Sequence, residues 1–239
     1  MPDFKQRSNK SELMDQEDIS FEEFHDCLQG LEIINHLTLA YRPTLTWLYP
    51  WITAGEPLCI LDAGCGGGDM LRQIARQLRR RNTASPAIKL LGVDLNPWSK
   101  QSAELNNAFP SIHYETADIF SFQPARSIDI IICSLFTHHL TDDQVVDFLR
   151  WIDARATKGW FINDLHRHPL PYYFIKTATA VFSRNRLIRH DAAVSVARAF
   201  SIADWRQLLA RAGIGDRAHI QWFFPFRLCI SCVKSPCLR

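Results

Sequence analysis

No stretch of this 239-residue chain is apolar over the roughly 20 residues that a membrane-spanning helix needs. Residues 1–18 are polar and acidic, where a secretory signal would carry a basic start and an apolar run. Long runs of like charge are missing as well. With 27 Lys and Arg against 25 Asp and Glu the net charge is +2, which excludes a nucleic-acid-binding tail. Arg79, Arg80 and Arg81 do cluster, but at the predicted last turn of a helix, where cations complement the helix dipole. Cysteines are too scattered for a disulfide framework: there are seven, an odd number, spread over predicted strands and helices as reduced thiols are. Cys229 and Cys232 form a C-x-x-C inside an apolar strand-like run, where alternation sends the two sulfurs to opposite faces, so no metal site is expected. Internal repeats and low-complexity tracts are absent. These exclusions leave a cytoplasmic globular chain with one core, or one core plus a cap.

Glycine is sparse too, with ten in all, yet Gly64, Gly66, Gly67 and Gly68 fall together. They follow an apolar run at 58–61 that reads as a buried strand ending at Asp62. Directly after them Met70, Leu71, Ile74, Ala75 and Leu78 recur at helical spacing. Strand, glycine turn and helix bring backbone N–H groups and a helix N-terminus up to a nucleotide-like ligand. The dinucleotide fingerprint G-x-G-x-x-G does not fit, because its third glycine would fall at Asp69 counted from Gly64, or at Leu71 counted from Gly66. The pattern present is Asp62-x-Gly64-x-Gly66-x-Gly68.

Around this stretch the chain alternates. Ser20 to Glu23 is a capping box that opens a helix, and a second helix starts near Pro43. Strands are expected at 88–93, ending at Asp94, at 111–115, followed by Asp118, at 128–133 and at 159–163. Thr141 to Gln144 caps the helix between the last two. Parallel strands with right-handed crossovers follow, with ligands at the strands' C-terminal ends, where Asp62, Asp94, Asp118 and His138 all fall. Residues 169–200, rich in aromatic residues at first, interrupt the alternation and read as a lid. A capped helix from Ser201 and two β-rich runs around Pro225 close the chain. The expected division is 1–54 helical cap, 55–168 core, 169–200 lid and 201–239 the rest of the core, with residues 1–19 loosely packed.

The glycine motif with Asp94 and Asp118 resembles the donor site of class I S-adenosylmethionine (SAM) methyltransferases, over roughly residues 57–165. The resemblance implies a Rossmann-like, mostly parallel seven-stranded sheet with an antiparallel C-terminal hairpin. It also implies SAM as methyl donor and S-adenosylhomocysteine (SAH) as product. The implied cofactor residues are Asp62, Gly64, Cys65, Gly66 and Gly68 at the turn, with Asp94 and Leu95 at the ribose. Asp118 and Ile119 are implied at the adenine, Ser134 at the fourth strand's end, and Arg42 at the methionine end, with Asn35 and Tyr41 as alternatives. Cys65 reads as a small residue that lets the backbone pass close to the ligand. The segment from Cys133 to Leu140, with His138-His139-Leu140, is similar to small-molecule methyltransferases of quinone and natural-product biosynthesis, including bacterial ones found beside polyketide synthases.

A hydroxyl acceptor must lose a proton before it attacks a methyl group, and imidazole titrates in the range that suits this task. His138 is the preferred base, His139 its neighbour in the pair, and His166 with His168 the rivals after the fifth strand. Tyr172, Tyr173, Phe174 and Phe182 suggest an aromatic or apolar acceptor. O-methylation leads, C-methylation of an activated aromatic or enol carbon is the alternative, and a non-catalytic SAM-binding protein is a third reading. Neither nucleic acid nor a membrane span is expected, and a monomer and a homodimer are equally compatible.

Overall fold

In the interior of the sheet lies β1 (Leu58–Ala63), and the computed structural model describes residues 3–15, 19–80 and 88–234 around it. Of the residues named above, Arg81 and the seventh cysteine, Cys237, lie outside the described residues. Two helices precede β1: α1 (Phe21–Leu37), whose Ser20 cap and Glu23 bond reciprocally, and α2 (Arg42–Thr53). Then come α3 (Asp69–Arg80), β2 (Ile88–Asp94), α4 (Pro97–Leu105), β3 (Ile112–Thr116) and β4 (Ile128–Ser134). α5 (Asp142–Arg155) and β5 (Ala156–Leu165) complete the expected alternation. The interrupting segment forms α6 (Pro169–Phe182) and α7 (Arg186–Arg198), and α8 (Ile202–Ala212), β6 (His219–Phe223) and β7 (Arg227–Val233) close the fold.

The seven strands lie in the order β3-β2-β1-β4-β5-β7-β6. β1 to β5 pair in parallel, whereas β7 runs antiparallel to both β5 and β6. This is the Rossmann-like methyltransferase sheet that the glycine motif implied. The central strands read as mostly apolar runs, β-branched above all in β4, because both faces are covered. On one face Val145, Phe148, Leu149 and Ile152 of α5 and Trp205 and Leu208 of α8 pack against β4 and β5. On the other, Leu48 and Trp51 of α2 and Met70, Leu71 and Ile74 of α3 pack against β1 and β2. Cys229 falls in the second cluster and Cys232 in the first, so the C-x-x-C does split across the sheet.

A third and smaller cluster joins Ile19, Phe24 and Cys27 to Leu187 and Ile188 of α7. The N-terminal helices and the inserted helices therefore form one roof over the strand ends. Residues 3–15 are packed against that roof, contrary to the expectation of a loose N-terminus. Arg167 donates to the Phe4 carbonyl, Ser8 N–H to the Ala197 carbonyl, and Asp191 of α7 accepts the Leu13 and Met14 N–H groups at 2.7 and 3.0 Å.

Candidate active site

Between the strand ends and the roof lies a cavity of about 740 Å³. Its floor at β1 is the glycine turn. Gly64 sits at φ +69 and Gly66 at φ +49, and a Cβ on Gly64 would run into the Phe136 ring. The turn spends most of its N–H groups internally: Gly64 and Cys65 donate to the Val93 carbonyl, Gly68 to the Cys65 carbonyl and Gly66 to Asp94 Oδ2 at 2.8 Å. This is no anion hole. Three carboxylates crowd it instead. Asp69 and Asp94 line the cavity, and Asp62 lies buried behind the turn with its Oδ1 unpartnered. Burial first, then the Asp69 and Asp94 charges, push the Asp62 carboxyl well above its usual range. Burial also raises Asp94, against the Asn96 and Gly66 N–H groups that bond it. A ligand with a positive centre and no phosphate fits such a turn, because it relieves the repulsion that burial intensifies.

Gly64, Cys65, Gly66, Asp94, Leu95, Asp118, Ile119 and Ser134 all line this cavity, with the Ser134 hydroxyl left without a partner. Gly68 is not among the lining residues. It closes the turn beneath Tyr114 at φ +73. Asn35 and Tyr41 also line the cavity and both bond Asp69 Oδ2, at 3.1 and 2.6 Å. Arg42 does not: it is exposed on a separate shallow depression beside Leu39 and Tyr49, so its expected place at the methionine end is corrected. It is the first residue of α2, before Pro43, and its neighbour Tyr41 is the buried one that lines the cavity.

The far wall holds the histidine pair, on a short turn (Thr137–His139) after β4. Leu135, two residues earlier, is held at φ +58, the kind of strained backbone that gathers at functional sites. His138 is 3% exposed, and its Nδ1 lies 2.7 Å from Asp164 Oδ1. Asp164 also accepts from the Thr137 hydroxyl and from the His138 and Leu165 N–H groups. Burial opposes its charge, but His138 and these bonds outweigh burial and hold the carboxyl well below its usual range. An ionised Asp164 fixes the proton on Nδ1 and leaves Nε2 toward Glu12 Oε1, 3.6 Å away. His139 is the outer ring, with Nδ1 3.0 Å from Asp15 and Nε2 3.8 Å from Glu12. Burial works against the His139 cation, yet Asp15 and Glu12 prevail and raise its pKa. Glu12, His138 and His139 bring one ligand atom each within 4.8 Å of one another, a spacing that can also hold a cation.

His166 is not in this constellation. It is half-buried outside the cavity lining, its ring 5.6 Å from that of His168, and burial followed by the His168 and Arg167 charges lowers its pKa. Of the expected aromatic residues only Phe174 lines the cavity. Tyr172 and Tyr173 pack on Phe4, and Phe182 is 87% exposed. Glu12, Asp15 and Asp69 carry no local signature, so sequence reasoning missed them. Asp164 carries one signal, its place at the end of the fifth strand.

Residues 60–159 match the family described as a methyltransferase domain. None of the curated proteins matches the chain. Among solved structures, the magnesium protoporphyrin IX methyltransferase of Synechocystis, with bound SAH, is 16% identical; the match covers 92% of this chain and 90% of that one, with a TM-score of 0.57. Human N-acetylserotonin methyltransferase in complex with SAM is 18% identical, over 91% of this chain and 57% of that one, with a TM-score of 0.62. The plantazolicin methyltransferase BpumL, in complex with a monoazolic desmethylPZN analog and SAH, is 16% identical over 89% and 99%, with a TM-score of 0.57. These likenesses show a shared fold.

Proposed function

From the premise that residues 60–159 form a methyltransferase domain, we propose that this chain is an enzyme that moves the methyl group of SAM to a hydroxyl of a small, apolar or aromatic acceptor, with His138 as general base. The observation that carries the reading is the His138–Asp164 dyad, which stands across the cavity from a cation-seeking glycine turn. Bound SAM supplies a methyl group already activated on a sulfonium. The Asp94 carboxylate takes the ribose hydroxyls, Asp118 and the Ile119 N–H take the adenine edge, and Asp69 with Asp62 behind it balances the ammonium end. On the acceptor side Phe136, Phe174, Ile175 and Phe226 offer apolar walls. His138 Nε2 takes the hydroxyl proton as the O–C bond forms and the S–C electron pair returns to sulfur. Asp164 and Glu12 flank the imidazolium that results, as in other base–carboxylate pairs. Positioning supplies much of the remaining acceleration.

An oxidoreductase is disfavoured by the absent third glycine. Tyr172 and Lys176 have the spacing of a Tyr-x-x-x-Lys pair, but neither lines the cavity, and the ammonium lies 5.8 Å over the Tyr172 ring. The Glu12, His138 and His139 spacing supports a second reading, in which a divalent cation held there lowers the acceptor's pKa in place of a free imidazole. The test is incubation of the purified protein with methyl-labelled SAM and a panel of phenols, with and without a chelator. Label on the acceptor oxygen that survives chelation and is lost in His138→Ala supports the base. Label on carbon selects the C-methyl alternative, and loss on chelation selects the cation. Failure to bind SAM or SAH removes the function altogether.

A further inference from the structure

Arg227 opens β7 opposite Leu165, the last residue of β5, and lines the cavity. It is only 4% exposed, its Nη1 has no hydrogen-bond partner, and it forms no ion pair with any described residue. A guanidinium cannot escape this position by losing its proton under physiological conditions. Its natural partner would be Asp164, but that carboxylate is already committed to Thr137, Leu165 and both the ring and the N–H of His138. Burial pushes the guanidinium's pKa down, opposed by more distant Asp164, Cys229 and Tyr41. An unpaired buried charge is among the costliest features a fold can keep, and pairing it with a second charge removes most of that cost.

We propose that Arg227 is an anion subsite, and that the acceptor carries a carboxylate that this guanidinium holds. The inference rests on the methyl-transfer reading and deepens it by naming a substrate class: hydroxy acids. Placement favours the acceptor over the donor. β7 is three strand steps from β1 in the sheet order, about 14 Å at the usual spacing. The donor's turn, moreover, is lined with carboxylates. Phe174, Ile175, Pro225 and Phe226 line the same cavity and exclude water, which strengthens a guanidinium–carboxylate pair. An acid anchored there spans toward the histidine pair on the turn after β4, two strands away, so the subsite fixes which hydroxyl meets His138.

The test uses the full chain saturated with SAH, titrated calorimetrically with hydroxybenzoates and their matched neutral amides. The acids are expected to bind about ten-fold or more tightly than the amides. Arg227→Gln collapses that ratio while SAH affinity stays within about three-fold, and Arg227→Lys keeps part of the preference. The wild-type comparison stands even if a variant folds poorly. Acids that bind no better than amides, or not at all, overturn the proposal. So does a ten-fold loss of SAH affinity in Arg227→Gln with the acid preference intact, since Arg227 then holds the donor's own carboxylate. Failure of SAH to bind the wild type is a different result, and it removes the methyl-transfer reading itself.

Discussion

His138 and Asp164 act as one unit, because the carboxylate fixes which ring nitrogen carries the proton. Asp164→Asn keeps the shape and removes the charge, so kcat is expected to fall about 10²- to 10⁴-fold with SAH affinity nearly unchanged, read by steady-state kinetics beside calorimetry. The same substitution reports on acid stability. The Asp164 pKa is depressed in the fold, so its stabilisation is present above the ordinary carboxylate range and is lost as pH falls through that range toward the folded value. Asp94 has the opposite sign. Burial raises its pKa, while in the proposed donor site the ribose hydroxyls would donate to its ionised form. SAH affinity is therefore expected to fall as pH drops through the raised pKa, by up to about ten-fold per unit below it, and a flat profile in titrations from neutral pH down through the carboxylate range removes Asp94 from the ribose. Asp94 and His138 stand out in the sequence because each follows an apolar run, and a strand end in an α/β sheet is a place with a known use. Arg227 begins such a run, and nothing local separates a ligand-facing arginine from an ordinary edge residue.

The elements that escaped sequence reasoning are those held by distant partners. Ser20, Thr141 and Ser201 announce their helices because capping is settled within four residues, and all three boxes form. Residues 3–15 are mostly polar and carry no capped helix or alternating strand, so they read as loose. In the fold Arg7 donates to the His138 and Leu140 carbonyls and pairs with Asp142, while Arg198 of α7 donates to the His138 and His139 carbonyls. Ser195 of α7 donates to Glu12 at 2.8 Å. The N-terminal segment and α7 thus position the carboxylate that faces both imidazoles, and sequence separation hides this. Asp191→Ala strips the acceptor from the Leu13 and Met14 N–H groups and is expected to cost about 1–3 kcal/mol. It should also lower kcat about ten-fold or more through the displaced Glu12, while SAH affinity, which the proposed donor site sets at β1 and β2, stays within about three-fold. Thermal melts and kinetics on one preparation separate the two effects. A stability loss with normal kcat would make the segment purely structural.

The molecule combines a deep core with a thin roof. The two clusters on the sheet faces are large, whereas the cluster joining α1 to α7 rests on Ile19, Phe24, Cys27, Leu187 and Ile188. Local opening free energy follows buried apolar contact, so the roof opens long before the sheet does. The cavity lies beneath it, so roof opening is the expected route for a ligand. The end of α6 is the weakest point: Val181 and Phe182 are 68% and 87% exposed, and Arg184 and Arg186 on either side of Asn185 are exposed too. Trypsin is therefore expected to cut first at Arg184 or Arg186, leaving the sheet intact. SAH at about 100 times its Kd stabilises the closed form by about 2.7 kcal/mol, which slows that cut about 100-fold if opening and loss of the ligand are coupled. Mass spectrometry of the first fragments, with and without SAH, reads both statements at once. First cleavage in the core, or the same rate at Arg184 and Arg186 with SAH bound, would mean that the roof is not the gate and that the ligand enters between the strand-end loops instead.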